Sequence, residues 1–161
     1  MTRSARFCAN AAVIAAIYAG LTLLLSPLSF GALQVRASEA LVALAAFSPA
    51  AIPGLAVGCF LANMLGPGGI IDAVIGTAAT LLGALAMYLL KNKPAFLAIT
   101  PNVLINGIAV SLELTIMGLT ETAFLPCFLW ICAGEAIACY GLGLTLHHTL
   151  SGRQELLEKL K

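Results

Sequence analysis

The chain has 161 residues, 61% of them apolar and 9% charged, with a formal net charge of +1. Soluble domains run about 45–50% apolar and about 25% charged, so the composition predicts an integral membrane protein. The small net charge excludes a nucleic-acid binder held by phosphate contacts, and the length suits one compact membrane bundle.

Residues 7–27 (FCANAAVIAAIYAGLTLLLSP) carry no charge and are long enough to cross about 30 Å of hydrocarbon. A run of that length, without a small-residue cleavage pattern, reads as a span and not as a signal peptide. Ala12, Ala16 and Gly20 recur at i, i+4 and i+8, with Ala15 and Ala19 alongside. Such a ridge of small residues lets another helix approach closely, although a chain rich in Ala also produces the spacing by chance. The next stretch, SPLSFGALQVRASEA over 26–40, sets Gln34, Arg36 and Glu39 beside Phe30, with Gly31 permitting a turn. As a lid it would hold an aromatic ring, an amide and both signs of charge over a pocket. The plainer reading of Ser38 and Glu39 is a cap for the following helix.

Residues 39–66 (EALVALAAFSPAAIPGLAVGCFLANMLG) are apolar but interrupted by Ser48-Pro49 and Ile52-Pro53-Gly54. Proline lacks a donor and clashes with the preceding turn, which predicts two short helices, 39–49 and 53–65. Each falls below spanning length and needs tilting or shelter. Three further helices are predicted at 70–90, 96–119 and 122–149, the last two each with one buried acid. The expectation is an all-α, six-helix transmembrane bundle forming a single membrane domain over 1–161, with helices 2 and 3 short or broken. With both termini cytoplasmic, Arg3, Arg6, Lys91, Lys93, Arg153, Lys159 and Lys161 lie inside and only Arg36 outside. Five spans from an outer N-terminus fit that charge bias nearly as well, and the proline break favours six. Residues 150–161 read as a charged amphipathic cytoplasmic tail.

Cys8, Cys59, Cys127, Cys132 and Cys139 form no C-x-x-C pair and have no His at ligand spacing, so no metal site is expected. Neighbouring His147 and His148 point about 100° apart on a helix, which suits chelation poorly.

Asn102, Asn106 and Glu113 point within about 40° of one another on a helix, giving a predicted span one polar face. At about 1.5 Å per residue, Asn106 lies near the midplane and Glu113 toward the outer side. On the last helix Glu135 is the buried acid. Phe128 shares its face, whereas Trp130 points about 140° away. Ionisable groups inside a span usually face a cavity or pathway, although amides and acids also bond neighbouring helices. Two acids at similar depth with facing amides suit the N–H groups of a polar ligand. A proton relay through Glu113 and Glu135 is the rival reading. The chain has no P-loop and no hydrolytic constellation, so neither ATP binding nor enzyme activity is expected of it.

The stretches SPLSFGALQVRASEALVAL, PGLAVGCFLANMLG and IIDAVIGTAATLLGAL resemble the QueT family of queuosine-precursor transporters. These are substrate-binding S components of energy-coupling factor (ECF) importers. The resemblance implies a pocket near the outer face under the loop after helix 1. It also implies a separate T component and two ATPase subunits that hydrolyse ATP, with no cofactor in this chain. Ala12, Ala16 and Gly20 would dock on the T component. The ligand would be a 7-deazaguanine such as preQ1, preQ0 or queuine. The candidate binding set is then Glu113, Glu135, Asn106, Phe30, Gln34, Arg36, Glu39, Asn63, Phe128 and Trp130. The alternatives are a proton-coupled secondary carrier, an S component for another vitamin-like solute, or an assembly subunit without a ligand.

Overall fold

The Thr2 hydroxyl accepts a hydrogen bond from the Ala5 amide at 3.3 Å and starts the first helix ahead of both arginines. Helix α1 therefore runs Arg3–Leu24, beginning earlier than the apolar run and stopping short of Pro27. The computed structural model describes residues 2–31 and 33–153. Of the expected amphipathic tail over 150–161, residues 154–161 lie outside the described residues.

After α1 comes one short turn of helix, α2 (Ser26–Ser29), with Pro27 in its first turn. A 3-10 helix over Ala37–Ala46 follows, then α3 (Ala51–Leu65), α4 (Gly69–Leu89) and α5 (Ala95–Ile116). The last helical run comprises α6 (Phe124–Ala136), a π-helical segment Ile137–Gly143 and α7 (Leu144–Ser151). No strand occurs among the described residues. Four helical runs, Arg3–Leu24, Gly69–Leu89, Ala95–Ile116 and Phe124–Ser151, are long and apolar enough to cross a membrane. Ala37–Ala46 and Ala51–Leu65 are shorter apolar helices.

The expected helix over 39–49 is a 3-10 helix over 37–46, and the difference has a geometric consequence. At about 2.0 Å per residue, ten residues of 3-10 helix cover about 20 Å, against about 15 Å in α form. A short segment thus reaches further through the bundle. It packs on the π segment, where a Cβ at Gly143 would lie 3.3 Å from the Ala40 carbonyl oxygen. The Cys139 thiol also points at the Glu39 carbonyl, 3.8 Å away. Two irregular helices therefore face each other and hold Glu39 in the interior.

Gly54 and Gly58 on α3 let α1 come close. A Cβ at Gly58 would lie 2.7 Å from Tyr18 Cβ and 2.8 Å from the Ala15 carbonyl oxygen, and one at Gly54 2.7 Å from the Ala11 carbonyl. This is the small-residue packing that replaces the hydrophobic drive inside lipid. It uses the Ala11/Ala15 side of α1. Ala12, Ala16 and Gly20 lie on the other side and are exposed, with no atom within 4 Å of a Cβ built on Gly20.

The connections 25–36, 66–68 and 117–123 gather at one end of the bundle, where Phe30, Gln34, Pro67, Gly68 and Leu119 line one cavity. The connections 47–50 and 90–94 gather at the other, where Phe47 and His147 rings meet at 4.8 Å.

Candidate functional site

Five charged side chains are buried among the described residues: Arg36, Glu39, Asp72, Glu113 and Glu135. Glu39 is the most fully bonded. Its Oε1 accepts hydrogen bonds from the Tyr18 hydroxyl and, at 3.1 Å, the Thr80 hydroxyl; its Oε2 accepts from Asn102 Nδ2 at 3.0 Å. One carboxylate thereby ties α1, α4 and α5 to the 3-10 helix. Asn106 extends the network, donating to the Asn102 carbonyl at 3.1 Å and its Oδ1 at 3.3 Å. Close by, the Thr22 and Ser38 hydroxyls pair at 2.6 Å. Gly83 makes the room, because a Cβ there would collide with the Asn102 side chain.

Nearer the loop end, Arg36 pairs with Asp72 at 3.5 Å and donates through Nε to the Ser29 carbonyl at 3.4 Å. The Phe30 ring lies 5.5 Å from its guanidinium carbon. Asp72 sits in the first turn of α4, where an acid also suits the positive end of the helix dipole. Asn63 donates to the Asp72 backbone carbonyl at 3.0 Å. The arginine and this amide thus fix the chain around the α3–α4 connection.

Above this layer lie two adjoining cavities. One, of about 160 Å³, is lined by polar Gln34, Asp72 and Glu113 together with Phe30, Val110 and Leu114. The other, of about 590 Å³, shares Phe30, Gln34, Leu114 and Leu119 and extends to Thr120, Cys127 and Trp130. The larger volume falls in the usual range for small-molecule sites, about 300–1,000 Å³. Gln34 lines both while 9% exposed, and its φ of 44° is the single positive value for a non-glycine among the described residues. A left-handed glutamine is unusual and clusters at ligand-binding sites. The loop is held there by close contact with α6, since a Cβ at Gly134 would collide with the Leu33 carbonyl.

Of the residues singled out from the sequence, Phe30, Gln34, Glu113 and Trp130 meet at these cavities. Glu113 is 5% exposed and its Oε2 has no hydrogen-bond partner. Arg36, Glu39, Asn63, Asn106 and Glu135 are outside the lining, each buried in the layer beneath or beside it. Glu135 lies within electrostatic reach of Arg36 and Glu39, and its Oε2 is also unpartnered. Phe128 turns instead toward Gly107 on α5 and stacks with Phe124 at 6.0 Å. Asp72 is the main omission from the sequence reading. It lies in the first turn of the helix predicted over 70–90, and its pairing with Arg36, 36 residues away in sequence, is set by packing.

The sequence model of the family described as QueT transporter matches residues 8–152. No curated protein and no solved structure matches the chain.

Proposed function

Because this chain belongs to the QueT transporter family, we propose that it is the substrate-binding S component of an ECF importer for a queuosine precursor of 7-deazaguanine type. It is a multi-pass membrane protein with a transport role. In this reading six helical segments cross or enter a bacterial cytoplasmic membrane, with both termini inside. The charge bias supports that orientation: among the described residues, Arg3, Arg6, Lys91, Lys93 and Arg153 belong to the end opposite the cavities, and Arg36 alone to the cavity end.

The observation that carries the reading is the pairing of Phe30 and Trp130 with Gln34 and Glu113 around the adjoining cavities at the loop end of the bundle. Aromatic faces suit a flat heterocycle. An amide and a carboxylate suit hydrogen-bond donors on such a ligand. The loop through Phe30 and Gln34 covers the site. The exposed ridge of Ala12, Ala16 and Gly20 offers the T component a surface of close approach, and the energy comes from two ATPase subunits. Release inward follows tilting of the loaded chain in the membrane.

A second reading rests on Glu113 and Glu135, both buried with an unpartnered oxygen, as proton sites of a secondary carrier. Uptake of a labelled deazaguanine into proteoliposomes separates the two. Our reading expects uptake only with the T component, both ATPase subunits and ATP, unaffected by dissipating the proton gradient. Uptake by this chain alone that collapses with the gradient would establish the carrier.

A further inference from the structure

The buried polar atoms around the site are unbalanced in two ways. Four buried acids, Glu39, Asp72, Glu113 and Glu135, face a single buried base, Arg36, among the described residues. Arg36 is committed to Asp72, and Glu39 is satisfied by three neutral donors. The buried amide and carboxyl atoms left without partners are all acceptors: Glu113 Oε2, Glu135 Oε2, Asn106 Oδ1 and Asn63 Oδ1. Of these residues, Glu113 lines the smaller of the two adjoining cavities, and it does so at 5% exposure. An ionised carboxylate left unpaired at that depth is costly, and a neutral partner repairs only part of the cost.

Resting on the reading of the chain as a deazaguanine-binding component, we propose that it selects a cationic ligand, whose protonated amine pairs with Glu113. The amine substituent enters the smaller cavity between Glu113, Asp72 and Gln34, while the ring lies toward Phe30 and Trp130. Among the three queuosine precursors this favours the amines. 7-Aminomethyl-7-deazaguanine and queuine carry a protonated nitrogen at neutral pH; the 7-cyano compound does not. Arg36 does not repel the amine, because its charge is already offset by Asp72. The selectivity thus arises from one free carboxylate and not from the shape of the ring pocket, which all three share.

Titration of the full-length chain in detergent with the 7-aminomethyl and 7-cyano compounds tests this without any substitution. The aminomethyl compound is expected to bind about ten- to a hundredfold more tightly, the range for a charge-assisted bond. In Glu113→Gln that preference should vanish, with the amine losing the larger share of its affinity. Equal affinities in the wild-type chain overturn the proposal and leave the deazaguanine reading intact. A preference kept in Glu113→Gln, or an equal loss for both ligands, overturns the assignment of Glu113 to the amine. If neither compound binds the wild-type chain, both the proposal and the reading beneath it fall.

Discussion

Glu39→Ala is expected to unfold this protein, not merely to weaken a binding site. The substitution strands the buried Tyr18 hydroxyl and leaves the buried Thr80 hydroxyl and Asn102 amide only the weakly accepting sulfurs of Cys59 and Cys139. Each stranded donor costs about 1–3 kcal/mol, and breaking a buried charged network costs about 3–5 kcal/mol in all. Against a typical stability of about 5–15 kcal/mol that loss is large. The expected result is a steep fall in the melting temperature in detergent, with loss of the monodisperse peak. Glu39→Gln, which keeps one acceptor oxygen and the shape, should lose clearly less. A melting temperature unchanged in Glu39→Ala would mean that the three donors find other partners.

The second large effect is expected on transport alone. Ala16 lies on the exposed side of α1, away from the face that packs on Gly54 and Gly58. Ala16→Leu therefore leaves the bundle intact while filling the ridge by which another membrane helix would approach. Uptake with the complete set of partner subunits should fall to background. Binding of deazaguanine to the isolated chain should stay within about twofold, because removal or addition of surface apolar groups changes little elsewhere. Lost ligand affinity with normal assembly would place helix 1 at the pocket. Normal uptake would move the docking surface to another helix.

How much of this was legible in the sequence depended on whether a residue's environment is set locally. Glu113 stood out because one charge in a long apolar run has few destinations in a membrane, and it does reach a cavity. Asn102 and Asn106 share its buried face, yet they turn into the Glu39 network, a choice made by residues far away in sequence. The angular reading of the last helix separated Trp130 from Glu135. The cavity proved to lie on the Trp130 side, whereas Glu135 points into the bundle. Helical geometry gives relative directions on one helix, and only packing decides which direction is the pocket. The same holds for the 3-10 and π segments, whose conformations meet across the interface of Ala40 with Gly143. Prolines at 49 and 53 announced the break between short helices, but nothing local announced the tighter winding before it. Gly54 and Gly58 on α3 carry a readable signal for close helix approach, which the prolines just before them overshadow.

The central claim is that this chain, by itself, holds a deazaguanine between Phe30, Trp130, Gln34 and Glu113. Mass spectrometry of the small molecule released from the purified chain, after incubation with a mixture of queuosine precursors and removal of free solute, tests it most directly. The account predicts near-stoichiometric release of a deazaguanine, with the amine forms retained over the nitrile, and sharply reduced retention in Trp130→Ala. Release of a chemically unrelated solute, or of no deazaguanine from a folded, monodisperse chain, would contradict it.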